Sequence, residues 1–536
     1  MPPLNRRTFV RGLGLGMFGG TVAVLGLAGC ASAVEEQRAA AGGATAPVRG
    51  GTLKLAGRTD LIPGNFFTNS NDGVTTTVGL VYESLIRYPN DRVEPQPLLA
   101  TAWTLADDRL SLTLDLRDDV YFHGPDGGQG RRFTSADVEF SLRTYADPKW
   151  TAQLRSTAAA ITAYDTSAPN RIVLTFAHPL SNIFDLLDTV PIVDSATLDQ
   201  LGTGAAFVGT GPFRFVSWTP NSKIVYARND HYRVPERPYL DGVEFTVVSD
   251  SQAILSGVRS GQYDVAGGLA YRDLENLGGT DGFRAITLEG AELQTYVGTN
   301  VTAPGLSDVR VRQAIAFALD RQRIVDEVLR GSGYVVNLPW PKYSPAWDER
   351  KNTTYARDID RAKALVAEVI NGVGTIPALP YNYPAGDPVH EATAQIVQAN
   401  LAEAGITVSL EPLENAQFVK QLIGAQFPGI WTTYHSWAQY TPSTLTVSAY
   451  PFNAQKNASN YRSPDYQAAA DAAWQPPDDA ATKAGYDSLN DELLKGLFLV
   501  EIGVVFRQWA ASDRAQGIGW TKRSEITLTD AYKATV

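Results

Sequence analysis

Five histidines, one cysteine and 57 carboxylates are the groups through which this 536-residue chain could do chemistry. His123, His178, His231, His390 and His435 are scattered without ligand-like pairing, so each reads as a hydrogen-bonded structural residue, not a metal ligand. His435 differs because it lies among rings: Trp431, Tyr434, Trp437, Tyr440, Tyr450, Phe452 and Tyr461 crowd the same segment. No Asp or Glu occurs between Glu414 and Asp465, a gap of fifty residues. Aromatic faces with amide and hydroxyl partners suit sugars, blocked peptides or other ligands without a free amino terminus. Phosphate-loop, dinucleotide, zinc-protease and nucleophile-elbow spacings are missing, and the Gly-rich "HGPDGGQG" reads as a turn. Paired carboxylates acting as acid and base need not be neighbours in sequence, so a secreted hydrolase stays open on these grounds.

The single cysteine, Cys30, closes an uncharged stretch, Gly12 to Gly29, that follows Arg6, Arg7 and Arg11. Five glycines in the first half of that stretch weaken it as a spanning helix, each by about 1 kcal/mol. Positive residues, a weak apolar run and a small-residue end have the layout of an export signal. "NRRTFVR" resembles the twin-arginine signal, and "LAGC" resembles the bacterial lipobox, which implies cleavage before Cys30 and lipidation of its thiol. With no second cysteine, an internal disulfide is ruled out. The small, polar residues that follow read as a flexible tether.

The elements that must position any site fall into two styles. "LSLTLDLR" alternates, with Leu110, Leu112, Leu114 and Leu116 facing one way, as a half-buried strand does. Thr134 and Asp137 form a capping box ahead of Val138, Leu142 and Tyr145. "RIVLTF" and "GVEFTVV" read as further strands. Later, Asp308 caps a helix carrying Val311, Ile315, Ala318 and Leu319, and "DRAKALVAEVI" repeats the device with Ala362, Leu365, Val366 and Val369. "ATAQIVQANLAEAG" stops at Gly405 and leads into an alternating strand through Ile406, Val408 and Leu410. Helix, glycine stop and strand make the unit of an α/β sheet, and the change of style midway implies at least two lobes. The net charge of −11, more acidic still without the signal's arginines, speaks against nucleic acid or an anionic bilayer as the ligand.

Several stretches in order resemble the family 5 solute-binding proteins of ABC importers, the oligopeptide-, dipeptide- and nickel-binding family. They are "LVYESLIRY", "PLLATAWTLADDRLSLTLDLRDDVYFHG", "RRFTSADVEFSLR", "GTGPFRFVSWTPNSKIVYARNDHYR", "YLDGVEF", "VRSGQYDVA" and "SDVRVRQAIAFALDRQRIVDEVLRGSG". The resemblance spans the chain from about Gly50 to the C-terminus. It implies an α/β, two-lobed, periplasmic-binding-protein-like clamp (class II type) with an extra subdomain on the first lobe, closing on ligand at a hinge. The division it implies is 1–29 signal, 30–49 tether, 50–84 with 186–295 and 505–536 as lobe I, 85–185 as the extra subdomain, and 296–504 as lobe II.

The same resemblance implies a non-catalytic, cofactor-free, monomeric subunit, and the lipobox adds lipid anchoring through Cys30 at the outer face of the cytoplasmic membrane. It would capture a peptide or peptide-like solute and deliver it to an ABC permease whose ATPase is a separate partner. Peptide-binding members place an aspartate against the ligand's ammonium in a Gly-Trp-x-Ala-Asp-Tyr-type segment. Here Trp437, Ala438 and Tyr440 match while Gln439 replaces the acid. A charge-assisted bond to a buried ammonium is worth about 1.5–3 kcal/mol, and a glutamine carbonyl does less. The expected cleft residues are therefore Trp437, Gln439 and Tyr440, then Tyr434 and His435, with Tyr296 from the strand before the Asp308 helix. An oligosaccharide is the competing solute, and a surface sensor without a permease a further alternative.

Overall fold

The computed structural model describes residues 47–534. Cys30, the signal and all but the last residues of the expected tether lie outside the described residues.

Two large sheets organise the body. The first has seven strands in the order Phe213–Thr219, Lys223–Arg228, Gly242–Val247, Thr52–Gly57, Val265–Ala266, Gln508–Ser512 and Phe283–Thr287. Thr52–Gly57 runs parallel to both its neighbours, and the remaining pairs are antiparallel. The second has six strands in the order Gly333–Val335, Leu499–Val505, Leu293–Thr299, Ile430–His435, Leu379–Pro384 and Val408–Leu413. A four-stranded antiparallel sheet of Ala100–Leu105, Ser111–Leu116, Arg171–Phe176 and Ile161–Ala168 stands apart from both.

The chain passes directly between the two large sheets at two places. Phe283–Thr287 leads into Leu293–Thr299, and Leu499–Val505 leads into Gln508–Ser512 through only Phe506 and Arg507. Two short connectors between two sheets are the layout of a hinge.

Local chemistry explains most element boundaries. Thr134 caps the helix Ser135–Ala146, its N–H donating to Asp137 Oδ2 at 2.8 Å, and Val138, Leu142 and Tyr145 are buried. Gly405, at φ 85°, ends the helical run that begins at Pro388 in the left-handed conformation a side chain disfavours. Leu110 departs from the expected alternation: the strand starts at Ser111, and Leu110 is 37% exposed beside the left-handed turn residue Arg109. The Asp308 helix also ends sooner than its apolar spacing suggests, at Ala318. Leu319 is extended, Asp320 recaps the next turn by accepting from Arg323 N–H, and buried Arg321 donates to the carbonyls of Ala316, Tyr355 and Glu501. Those three carbonyls hold the break in place.

Candidate functional site

A cavity of 260 Å³ lies between elements of the two large sheets. The first sheet contributes Leu55 to Arg58 at the end of its central strand and Val265 to Tyr271 beyond the short strand. The second contributes Leu293, Tyr434 and the helix start at Asp387 to Val389. Arg507, Gln508 and Trp509 form a floor from one of the two connectors and the strand that follows it. Strand ends and helix starts meet there because an α/β sheet leaves its crevice at those ends.

Each charged group on the wall has a definite environment. Asp72 Oδ2 accepts from the backbone N–H groups of Arg58 and Thr59 at 2.7 and 3.1 Å. Asp387 caps its helix, accepting from Val389 N–H at 2.9 Å and His390 N–H at 3.2 Å, and lies 3.3 Å from His390 Nδ1. Burial would raise that carboxyl, but the bonds from His390 and Val389 outweigh it and bring its pKa down to about 2. Burial draws the Arg507 guanidinium down to about 10, and the charge of nearby Arg523 acts in the same direction. Tyr434 packs at a tilt against His390 with ring centroids 4.3 Å apart, and burial and then Asp387 hold its phenol well above its ordinary range.

Of the residues singled out in the sequence, Tyr434 lines this cavity. The other five sit in the packed interior around it. Trp437 lies under the Arg523 guanidinium at 4.3 Å, one residue from the lining Ser524. Gln439 is 1% exposed, and its amide donates to the Lys522 carbonyl at 3.0 Å. The Tyr440 hydroxyl donates to Asp188 at 2.8 Å. His435 and Tyr296 pack with Phe452, and His435 Nε2 lies 3.6 Å from buried Glu501. Sequence reasoning passed over Asp72, Asp387 and Arg507. Arg507 carried a usable signal: it is a charge placed directly between the largely apolar "IGVVF" and "QWAAS". Among the described residues no group of three or more His, Cys, Asp or Glu could hold a metal ion.

Away from the cavity lining, Asp185 is fully buried and ties two distant segments together. It accepts from the hydroxyls of Tyr88 at 2.8 Å, Thr441 at 3.0 Å and Thr444 at 2.6 Å, and from Thr441 N–H at 3.0 Å. Desolvation pushes Asp185 and its neighbour Asp188 up to about 6, against the bonds they accept.

Two α/β lobes joined by paired connectors around a cavity define a clamp-type binding protein. The sequence profile described as "Bacterial extracellular solute-binding proteins, family 5 Middle" matches residues 94–459, and the chain belongs to that family. It is 27% identical over 403 residues to the probable di/tripeptide-binding protein 5 of Pseudomonas aeruginosa (strain UCBPP-PA14), covering 70% of this chain and 75% of that one. In fold it is similar to the binding protein AgaA of A. tumefaciens R10 in complex with agropinic acid, at TM-score 0.78 and 22% identity, covering 91% and 99% of the two chains. The Helicobacter pylori protein DppA in complex with peptide STSA aligns at TM-score 0.77 and 20% identity over 93% and 100%.

Proposed function

We propose that this chain captures a peptide or peptide-like solute outside the cytoplasm, held to the membrane by lipid on Cys30, and delivers it to an ABC permease driven by a separate ATPase. The observation that carries this reading is the cavity floored by Arg507, in a two-residue connector between the large sheets. A solute that touches both walls and the floor favours the closed arrangement by its differential contacts. The peptide class is supported by the name of the Pseudomonas aeruginosa relative and by the peptide bound to the Helicobacter pylori protein. The chain acts as a monomer and binds without turnover.

Free-amino-terminal peptides meet little counter-charge here. Gln439 is neutral and buried, and the Asp387 carboxylate is occupied by its own helix and His390. Calorimetry on the mature protein should therefore show N-acetylated tripeptides binding at least about tenfold tighter than their free-amino forms. Submicromolar affinity for a free-amino tripeptide would contradict this, and hydrolysis of any bound peptide would contradict the non-catalytic reading. For the anchor, Cys30→Ser should leave the precursor uncleaved and unlabelled by a radioactive fatty acid. Normal lipid labelling of that variant would sink the assignment.

A further inference from the structure

The wall of the cavity has hydrogen-bond donors left over and acceptors already engaged. Arg507 donates through Nη1 to Ser524 Oγ, while its Nε is buried without a partner. Among the described residues no carboxylate lies within 4.0 Å of it. Arg523, whose side chain is 7% exposed, repels it electrostatically and has Nε and Nη1 unpartnered. The nearest acid to Arg523 is Glu525 at 3.9 Å, already accepting from Asn69 and Thr521. Asp72 attracts Arg507 but is bonded to the Arg58 and Thr59 N–H groups, and Asp387 is bonded within its own helix. The Tyr271 hydroxyl, also near Arg507, donates to the Phe506 carbonyl.

The backbone adds to this positive excess. Four helices, Asp72–Val81, Ser251–Arg259, Tyr271–Gly278 and Pro388–Glu403, begin with a residue that lines the cavity. Each brings the positive end of its dipole to the same space. Asp250 and Asp387 cap two of them, and Asp72 sits in the first turn of a third. The Tyr271 helix starts after Ala270, which has no side-chain acceptor for the first N–H groups, and the acid of its first turn, Asp273, accepts from the Gln252 amide at 3.0 Å. A half-buried cation without a counter-charge is costly, and a helix start without a capping side chain is a ready anion site.

Resting on the solute-binding reading above, we infer that the solute is an organic acid whose carboxylate seats on the Arg507 guanidinium at the uncapped start of the Tyr271 helix. The guanidinium fork fits a planar carboxylate. Leu269, Leu293, Val389 and the Tyr434 and Trp509 rings give the rest of the solute an apolar and aromatic wall. The connector position adds a consequence: the residue reading the charge is the one about which the lobes move.

The test is calorimetry on the mature protein with N-acetyl tripeptides, each as the free C-terminal acid and as the C-terminal amide. Acids should bind about 100-fold tighter than the matching amides, and Arg507→Gln should shrink that ratio to about threefold or less by weakening the acids alone. Equal binding of acid and amide by the wild type would overturn the inference while leaving solute capture intact. If no tripeptide of either form binds, the peptide class falls and the ligand-free protein decides about Arg507. An arginine kept for an absent anion is a strain on the empty protein, so Arg507→Met should raise its thermal midpoint by a few degrees. An unchanged or lowered midpoint would make Arg507 a structural residue and overturn the inference.

Discussion

Replacing Asp185 by alanine should lower stability by about 2–4 kcal/mol, read as a fall in the urea midpoint at pH 7. The carboxylate is the shared acceptor for Tyr88, Thr441 and Thr444, and its loss strands the Thr441 N–H in a fully buried site. Water cannot reach that group, so each stranded donor costs about 1–3 kcal/mol. The same residue sets a pH dependence whose sign follows from linkage. Asp185 and Asp188 have native values of about 6, above the ordinary 3.8. The folded protein therefore binds more protons than the unfolded chain between pH 4 and 6, and their contribution is full below pH 4 and lost as pH rises through 6. Buried Glu501, also pushed up by desolvation, acts in the same direction. The two carboxyls therefore favour the folded state as pH falls from 7 to about 5, while His123, lowered to about 4 by desolvation, opposes them, and Asp185→Asn should remove about 1 kcal/mol of the acid-side gain over that range. The same change in midpoint between pH 7 and 5 in wild type and in Asp185→Asn would refute the assignment.

Gly298→Ala should be comparably damaging, at about 3–5 kcal/mol, for a steric reason. Gly298 pairs with Trp431 across two central strands, and a Cβ added there would lie 2.2 Å from the indole. Trp431 has no exposed surface and stacks on Phe427 with centroids 4.5 Å apart, so the ring has nowhere to retreat. Trp431→Leu alone should cost less than the full indole truncation series, about 2–4 kcal/mol. Combined with Gly298→Ala it should recover part of the loss, because the smaller side chain vacates the space the new methyl needs. Strict additivity of the two in urea unfolding would show that the contact does not govern the effect.

Much of the architecture could be read along the chain. Val138, Leu142 and Tyr145 repeat at helical spacing behind a Thr134–Asp137 box, and that stretch is a helix buried on that side. Ala362, Leu365, Val366 and Val369 behave likewise in Ile359–Val373. Such patterns are legible because burial of one face imposes a period of 3.6 or 2 on neighbouring residues. The Asp308 helix shows the boundary of that logic: its apolar spacing continues past Ala318, yet Arg321, held by three carbonyls including one from a strand 180 residues away, decides where the helix breaks.

The site was less legible, for a reason of the same kind. Ring-rich composition in 431–461 marks a segment that will be buried, but not whether it packs on core or faces a cavity. Pairing of Gln294 with His435 and of Tyr296 with Glu501 settles Tyr296 and His435 inside, and contacts with Lys522 and Asp188 settle Gln439 and Tyr440 inside. By itself, then, the sequence determined the family, the run of elements and the acidic character of the chain. Only the tertiary structure could bring Asp72, Tyr271, Asp387 and Arg507 to one cavity, because more than a hundred residues separate each from the next and strand register across two sheets, not local spacing, sets which side chains meet.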